Sequence, residues 1–171
     1  NKRDMVVDVK ETKTGEFSFG GGFSSIDKLI GFVEIEQKNF DILNFPTFTG
    51  DGQDLRLRGE FGSTRKNYLL SWTEPWIFDQ PISFGFDLYA SEHDKSSSTG
   101  YAYDETRQGG DMRFGKEFSE VLRGDLTYRI ENVDISNLDE NVSQTLKDEE
   151  GENTISSAIV QLTKDTTDNK F

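Results

Sequence analysis

The sequence predicts an all-β fold, an antiparallel transmembrane β-barrel of about eight strands, from three observations. Apolar and polar residues alternate with a period of two in eight segments, whereas a sustained period of 3.6 is almost absent. No window approaches the roughly 18 to 20 consecutive apolar residues that a membrane-spanning helix needs. The apolar residues include 14 Phe, 5 Tyr and 2 Trp, beside 16 Gly and 3 Pro, which indicates a folded chain and not a disordered acidic one.

The first four segments each place apolar residues on one side of an extended chain. Residues 15–24 put three Phe on one face, and residues 29–40 oppose Val33 and Ile35 to two Glu. Residues 55–61 alternate Leu, Leu and Phe with Arg, Arg and Glu, and residues 68–76 alternate Tyr, Leu and Trp with polar residues. Each is predicted to be a strand with one apolar and one polar face.

The last four segments follow the same rule. Residues 82–89 give the clearest case, because Ile, two Phe and Leu oppose Ser, Gly, Asp and Tyr. Residues 107–118 and 122–130 set apolar residues against Arg and acids, and residues 154–165 place Ala158, Val160 and Leu162 on one face. Eight strands suffice to close a small barrel whose interior is filled by side chains.

The predicted connections are of two kinds. The links 77–80 and 119–121 are short, whereas 92–103 and 134–153 are long, polar and acidic. Short turns at one end and long loops at the other are typical of transmembrane barrels. One link, 41–54, is long where a short one is expected, and its Phe and Pro residues predict a packed connection.

A soluble sandwich or lipocalin-like barrel would alternate too, with its apolar face inside. Three features favour the membrane barrel, in which the apolar face meets lipid. Charges of both signs are mixed on the polar faces, and Gly occurs inside strands. Aromatic residues also collect at the short-turn ends: Phe40, Phe45, Phe48, Trp76, Phe78 and Phe118. The charges predicted to face the lumen are Arg56, Arg58, Glu60, Asp111, Arg113, Arg123, Asp125 and Arg129.

The end of the fourth strand is predicted to lie at the membrane edge. Pro75 cannot donate to a strand ladder, so it belongs where the strand stops. Trp72, Trp76 and Phe78 are then predicted, with Pro75, to be interface anchors. A simple turn aromatic would occupy the same place as Trp76.

The composition excludes several classes of function. With 19 Lys+Arg against 32 Asp+Glu, the net charge of −13 argues against nucleic acid as a partner, and the absence of Cys removes disulfides and thiolate metal sites. His93 lies in a predicted polar loop, Gly20–Gly22 lack the Lys-Ser/Thr and helix of a phosphate loop, and the acidic run 139–152 lacks EF-hand spacing. We therefore expect no enzyme, no cofactor and no metal.

Several motifs carry a family resemblance in their order and spacing. They are MVVDVKE (5–11), TGEFSFGGGF (14–23), Asn39-Phe40, LSWTEPW (70–76) and KDTTDNKF (164–171). Together they resemble the bacterial surface antigen (BamA) superfamily of outer-membrane assembly and translocation proteins. In the last motif, Thr167 stands where the family's Asp-Thr-Arg-Asp-Asn-x-Phe signature has Arg.

The resemblance implies two parts and a location. Residues 1–12 would end a periplasmic POTRA-like domain, and residues 13–171 would form eight of the family's sixteen barrel strands, the N-terminal half, with short periplasmic turns and long extracellular loops. The place would be the bacterial outer membrane. The partners would be membrane lipid or lipopolysaccharide, nascent outer-membrane proteins and the lipoproteins of the assembly complex.

The resemblance also implies a function without catalysis, the assembly or translocation of outer-membrane proteins. The first strand would be a seam edge that pairs with client strands through Phe17, Phe19, Gly20, Gly21, Gly22 and Phe23. Alternatively, these glycines only bend the barrel wall. The alternative functions are a small structural eight-stranded barrel, such as an anchor or adhesin, and a soluble ligand-binding barrel.

An eight-stranded sheet left open would expose unpaired backbone groups that lipid cannot satisfy. The first strand should therefore pair with the eighth, or two copies should pair edge to edge as a dimer. We expect self-closure, because it needs no partner.

Overall fold

The computed structural model describes residues 13–24, 28–96 and 101–166. The proposed POTRA-like segment 1–12 and residues 167–171 of the C-terminal motif lie outside the described residues. Eight strands are formed: β1 (Gly15–Ser24), β2 (Lys28–Phe40), β3 (Thr49–Gly62), β4 (Arg65–Glu74), β5 (Ile82–His93), β6 (Asp104–Ser119), β7 (Leu122–Ser136) and β8 (Gly151–Lys164). A 3-10 turn, Ile77–Asp79, and a short helix, α1 (Gln144–Asp148), lie between strands.

The eight strands form one antiparallel sheet in chain order, from β1 to β8. The all-β prediction and the number of strands are confirmed. Among the described residues, no helix has the length and apolar character needed to cross a membrane.

The register separates the two faces of the sheet, because residues directly opposite each other point to the same side. One row across the sheet is Phe17, Ile35, Leu57, Leu70, Leu88, Gly110, Ile130 and Ser156. The next row is Ser18, Glu34, Arg58, Leu69, Tyr89, Gly109, Glu131 and Ile155. We call the side of the first row the apolar face and the side of the second row the charged face.

The charged face is the more enclosed side of the sheet. Asp111 is 7% exposed, and Glu131 and Val133, which lie on the same face in β7, are also buried. On the apolar face, by contrast, Phe19 is 76% exposed and Val160 is 74% exposed. This is the reverse of a soluble barrel, which buries its apolar side.

The expectation of self-closure is wrong. Within the described residues, β1 pairs only with β2 and β8 only with β7, so both outer strands are free edges. Closing a barrel requires strand tilt and stagger to match the strand number, and the register of this sheet does not bring β1 to β8.

The connections lie alternately at two ends of the sheet. The links 41–48, 75–81 and 120–121 lie at one end, which we call the turn end. The links 63–64, 94–103 and 137–150 lie at the other, the loop end. The predicted contrast in length holds in the second half of the chain, where 94–103 and 137–150 are long and 120–121 is short. In the first half it is absent, since 63–64 is a tight turn.

The predicted packed link is shorter than expected, because residues 49–54 already belong to β3. Its aromatic rings do pack: Phe48 stacks on Phe40 at 6.1 Å and meets Phe45 edge-on at 5.5 Å. Asn39 and Phe48 adopt positive φ angles, and the Asn39 side-chain oxygen accepts from Gly52 N at 2.8 Å. The link is thus a defined structure at the turn end.

Candidate functional site

The free edge of β1 is the first part of the candidate site. β1 pairs with β2 from Gly15 opposite Gln37 to Ser24 opposite Lys28, without a register shift. On its other side no described residue pairs with it. The sheet therefore ends in a continuously paired strand of ten residues, a template that another strand can extend.

The hydrogen bonds between β1 and β2 decide which backbone groups point outward. Lys38 N donates to Thr14 O at 3.0 Å, just before the first paired residue of β1. In an antiparallel pair, hydrogen-bonded positions alternate with non-hydrogen-bonded ones. The even-numbered residues of β1 therefore bond to β2. The odd-numbered residues direct their N–H and C=O groups to the free edge: Gly15, Phe17, Phe19, Gly21 and Phe23.

The side chains of β1 follow the two faces of the sheet. Phe17, Phe19 and Phe23 lie on the apolar face and are 62%, 76% and 81% exposed. The Phe17 and Phe19 rings lie 5.9 Å apart. Glu16 and Ser18 lie on the charged face, with Ser18 Oγ donating to Glu16 Oε1 at 3.0 Å. A strand added here would meet aromatic rings on one side and a carboxylate on the other.

The three consecutive glycines of β1 differ in their surroundings. A Cβ on Gly20 would meet the ring of Phe32 at 2.7 Å, because that ring crosses the charged face at this point. A Cβ on Gly21 would lie 3.2 Å from Ile30 O, and one on Gly22 would meet nothing within 4 Å. The missing side chain at Gly20 thus leaves room for the Phe32 ring, whereas a side chain at position 22 would meet no neighbouring atom.

The second part of the candidate site is the ion-pair network of the charged face. Near β1, Glu34 accepts from Arg56 at 2.9 Å and from Arg58 at 3.0 Å. Arg58 also donates to Glu60 at 3.2 Å, and its guanidinium lies 4.7 Å from the centre of the Phe32 ring. The carboxylate of Glu34 therefore binds two arginines of the neighbouring strand.

In the middle of the sheet, Asp111 has the same role. It accepts from Arg113 at 3.1 Å and from Arg129 at 3.3 Å. Arg113 also pairs with Asp87 of β5 and donates to Thr73 Oγ1 of β4 at 3.2 Å. These contacts link four neighbouring strands on one face.

Two further groups complete the network. Glu131 accepts from Arg107 at 3.0 Å and from the Tyr89 hydroxyl at 2.9 Å. Arg123 pairs with Asp125 at 2.9 Å, and both side chains occupy the space above Gly115. A Cβ at Gly115 would lie 2.5 Å from the Arg123 guanidinium, so this glycine accommodates the ion pair.

The structure places all eight predicted lumen charges on the charged face. That this face lines a lumen stays a prediction. Sequence reasoning placed charges of both signs on the polar faces but did not identify the cross-strand partners Glu34 of Arg56 and Arg58 and Asp87 of Arg113. It also missed the pair of Arg107 with Glu131. The alternation of β2 already set Glu34 on the polar side, so that signal was available.

The predicted interface anchors lie around the end of β4. β4 ends at Glu74, and Pro75 is the next residue. Trp76 and Phe78 follow at the turn end, where their side chains are 59% and 88% exposed. Trp72 differs, because its indole N–H already donates to Gln53 Oε1 at 3.0 Å and its ring contacts Phe86 at 5.6 Å. Trp72 thus needs no polar partner from the membrane interface.

At the loop end, two connections are tied together. Lys95 pairs with Asp139 at 2.6 Å, and Asn137 donates to Asp104 at 2.9 Å. Tyr103 lies in the first of these loops, where burial raises the pKa of its hydroxyl. His93 was predicted to lie in a solvated loop; it is instead the last residue of β5, stacked on Tyr101 at 3.6 Å.

Metal-ligating side chains do not converge within the part of the chain that the structure describes: no group of three or more His, Cys, Asp or Glu there could hold a metal ion. Several acidic residues of the charged face, including Glu34 and Asp111, are instead paired with arginines. The arrangement offers strand pairing and electrostatic recognition.

Comparisons with known proteins give a consistent result. A family model described as the Omp85 superfamily domain matches residues 47–171. An outer membrane protein assembly factor BamA of Nitratidesulfovibrio vulgaris is 30% identical over 170 residues, which is 98% of this chain and 20% of that protein. The assembly factor BamA of Neisseria meningitidis serogroup B is 26% identical over 125 residues, 72% of this chain and 15% of that protein.

The crystal structure of BamA from Haemophilus ducreyi lacking POTRA domains 1–3 has a similar fold. The TM-score is 0.62 at 22% sequence identity, covering 95% of this chain and 32% of that one. The chain spans a fifth or less of the curated relatives it matches and about a third of the solved barrel.

Proposed function

The chain belongs to the Omp85 superfamily, and from this premise we propose that it is part of an outer-membrane barrel that assembles outer-membrane proteins, with β1 pairing with incoming client strands. The relatives that it resembles are named outer membrane protein assembly factors. The proposed location is the outer membrane of a Gram-negative bacterium. The proposed partners are nascent outer-membrane proteins, assembly-complex lipoproteins, and membrane lipid or lipopolysaccharide.

The observation that carries this proposal is the free edge of β1. Its odd-numbered residues direct backbone donors and acceptors outward, as the contact from Lys38 N to Thr14 O requires. In lipid, each unsatisfied backbone group is costly. A client strand removes that cost by continuing the ladder, and main-chain bonds do not depend on the client's sequence.

A second feature supports β1 as the strand that adjusts when a client strand pairs with the sheet. Gly20, Gly21 and Gly22 have no side chains with which to pack, so the middle of β1 is held to β2 mainly by backbone bonds. A weakly packed edge can adjust to a new neighbour. A small structural barrel is less well supported, because such a barrel must close and β1 does not pair with β8.

A proline at position 19 tests the proposal. The Phe19 N–H points to the free edge, so Phe19→Pro removes an outward donor and leaves the bonds between β1 and β2 in place. Phe19→Ala is the matched control, since it removes the ring and keeps the N–H. The measurement is assembly of an unfolded eight-stranded outer-membrane protein by the intact protein in proteoliposomes, read as SDS-resistant product.

We expect Phe19→Ala to retain most of the activity and Phe19→Pro to lose about tenfold or more, since an unpaired group in lipid costs several kcal/mol. The resistance of each variant itself to unfolding by SDS at room temperature verifies that its own barrel is intact. Equal activity of the two variants in intact barrels would refute pairing at this edge.

A further inference from the structure

We propose that the free edge of β1 selects client strands carrying a lysine or arginine directly beside Glu16. This inference rests on the proposed function, because it assumes that β1 receives client strands. It adds what the family relationship does not supply, namely the chemistry of the preferred strand at one defined position.

Among the described residues, the carboxylate of Glu16 has no basic partner. It lies directly opposite Glu36 of β2, and like charges in such a pair repel. Of the basic side chains nearby, Lys38 pairs with Glu36 at 3.7 Å, and Arg56 and Arg58 both pair with Glu34. Instead, the Ser18 hydroxyl donates a hydrogen bond to Glu16 Oε1 at 3.0 Å.

The register determines how closely a client side chain approaches Glu16. The backbone groups of Glu16 bond to β2, because even-numbered residues of β1 face that strand. An antiparallel strand added on the free side therefore meets Glu16 in a non-hydrogen-bonded pair, where the Cα atoms are about 4.5 Å apart and side chains are closest. The client residue at this position points to the charged face.

The positions on either side of it face the other way. Client residues beside Gly15 and Phe17 point to the apolar face, where Phe17 and Phe19 are exposed. Aromatic and β-branched side chains pair favourably there. The preferred client strand thus has a basic residue flanked by apolar ones, and an acid in place of the base would add a third carboxylate beside Glu16 and Glu36.

Disulfide trapping of peptides measures this preference. The chain has no cysteine, so Gly22→Cys, made in the intact protein with any cysteine outside this chain replaced by serine, introduces a unique thiol on the charged face at a position where a Cβ meets nothing within 4 Å. Position 22 and the residue opposite it on an added strand form a non-hydrogen-bonded pair, and the Cα separation of such a pair suits a disulfide. The probe is a synthetic amphipathic peptide with one Cys placed to face position 22 and Lys, Gln or Glu six residues later, facing Glu16.

The intact protein in detergent micelles is equilibrated with each peptide in a glutathione buffer, and the mixed disulfide is quantified. We expect about fivefold more product with the Lys peptide than with the Glu peptide, with Gln between them. Glu16→Gln should remove the preference, and Glu16→Lys should reverse it. Because Glu16 is exposed, 1 M NaCl should reduce the preference.

Two failures are distinguishable. Equal yields from the three peptides, or a preference that survives Glu16→Gln, would overturn charge selection while leaving pairing at β1 intact. The reference is Thr127→Cys, on the charged face of an interior strand that already has two neighbours. If no peptide reacts with Gly22→Cys more than with Thr127→Cys, pairing at β1 is itself contradicted.

Discussion

At Gly20 the missing side chain leaves room for an aromatic ring. The ring of Phe32 crosses the charged face above Gly20 and stacks beneath the Arg58 guanidinium, which in turn pairs with Glu34. One glycine in β1 is therefore linked to the ion pairs of β2 and β3. The sequence suggested either a flexible seam or a bent wall for these glycines, and for Gly20 the structure adds a packing reason.

This difference between the glycines gives a prediction. Gly20→Val should destabilise the pairing of β1 with β2 by about 1–3 kcal/mol, because the Phe32 ring must move to avoid the new side chain. Gly22→Val is the matched control, and its effect should be within about 0.5 kcal/mol. Urea unfolding of the intact protein in micelles measures both, and equal losses of unfolding free energy would refute the packing role of Gly20.

The pairing of side chains across strands was the part of the site that sequence alone could not supply. Alternation assigns Arg113 and Arg129 to a polar face, but the carboxylate that joins them is set by the register between β6 and β7. Register depends on pairing along the whole strand. The sharing of Asp111 by two arginines is therefore a property of the sheet and not of either strand.

The eight strands themselves were predictable, and their ends were not. The alternating cores were identified in every case, but β3 begins at Thr49 rather than 55, and β8 begins at Gly151 rather than 154. β4 begins at Arg65, before the first apolar residue of its pattern. Backbone pairing continues past the apolar residues into polar sequence, where no alternation of hydropathy marks it.

The end of β4 gives a prediction about the depth of the two tryptophans in the bilayer. Trp72 lies on the apolar face inside β4, and Trp76 lies beyond its end. With a rise of about 3.3 Å per strand residue, Trp72 should lie roughly 6 to 10 Å deeper in the bilayer. Because the chain has 2 Trp, Trp76→Phe and Trp72→Phe each leave one reporter when any tryptophan outside this chain is also replaced by phenylalanine.

Quenching by brominated lipids measures the depth of each reporter. The Trp72 signal should be quenched more by bromine deep in the acyl chains, and the Trp76 signal more by bromine near the headgroups. If lipid bromine quenches neither signal and aqueous acrylamide quenches both, the apolar face does not meet lipid and the membrane assignment fails.

Across the whole molecule, the sheet combines three properties that single strands do not show. Its apolar face is exposed, its charged face carries connected ion pairs, and its two outer strands have no second neighbour among the residues that the structure describes. Exposed apolar area on one side favours lipid, while the open edge of β1 favours pairing with a further strand. Self-closure was the one expectation at this scale that the sequence pattern could not decide, since it depends on the curvature of the assembled sheet.

The central claim is that client strands pair with the outward backbone groups of β1. Amide hydrogen exchange in the intact protein, resolved by residue and followed before and after addition of an amphipathic client-strand peptide, tests it most directly. We predict that exchange slows at Phe17, Phe19 and Gly21, whose N–H groups face the free edge, and stays unchanged at the even-numbered Glu16, Ser18 and Gly20, which already bond to β2. Binding of the peptide without protection of the odd-numbered amides would contradict the account.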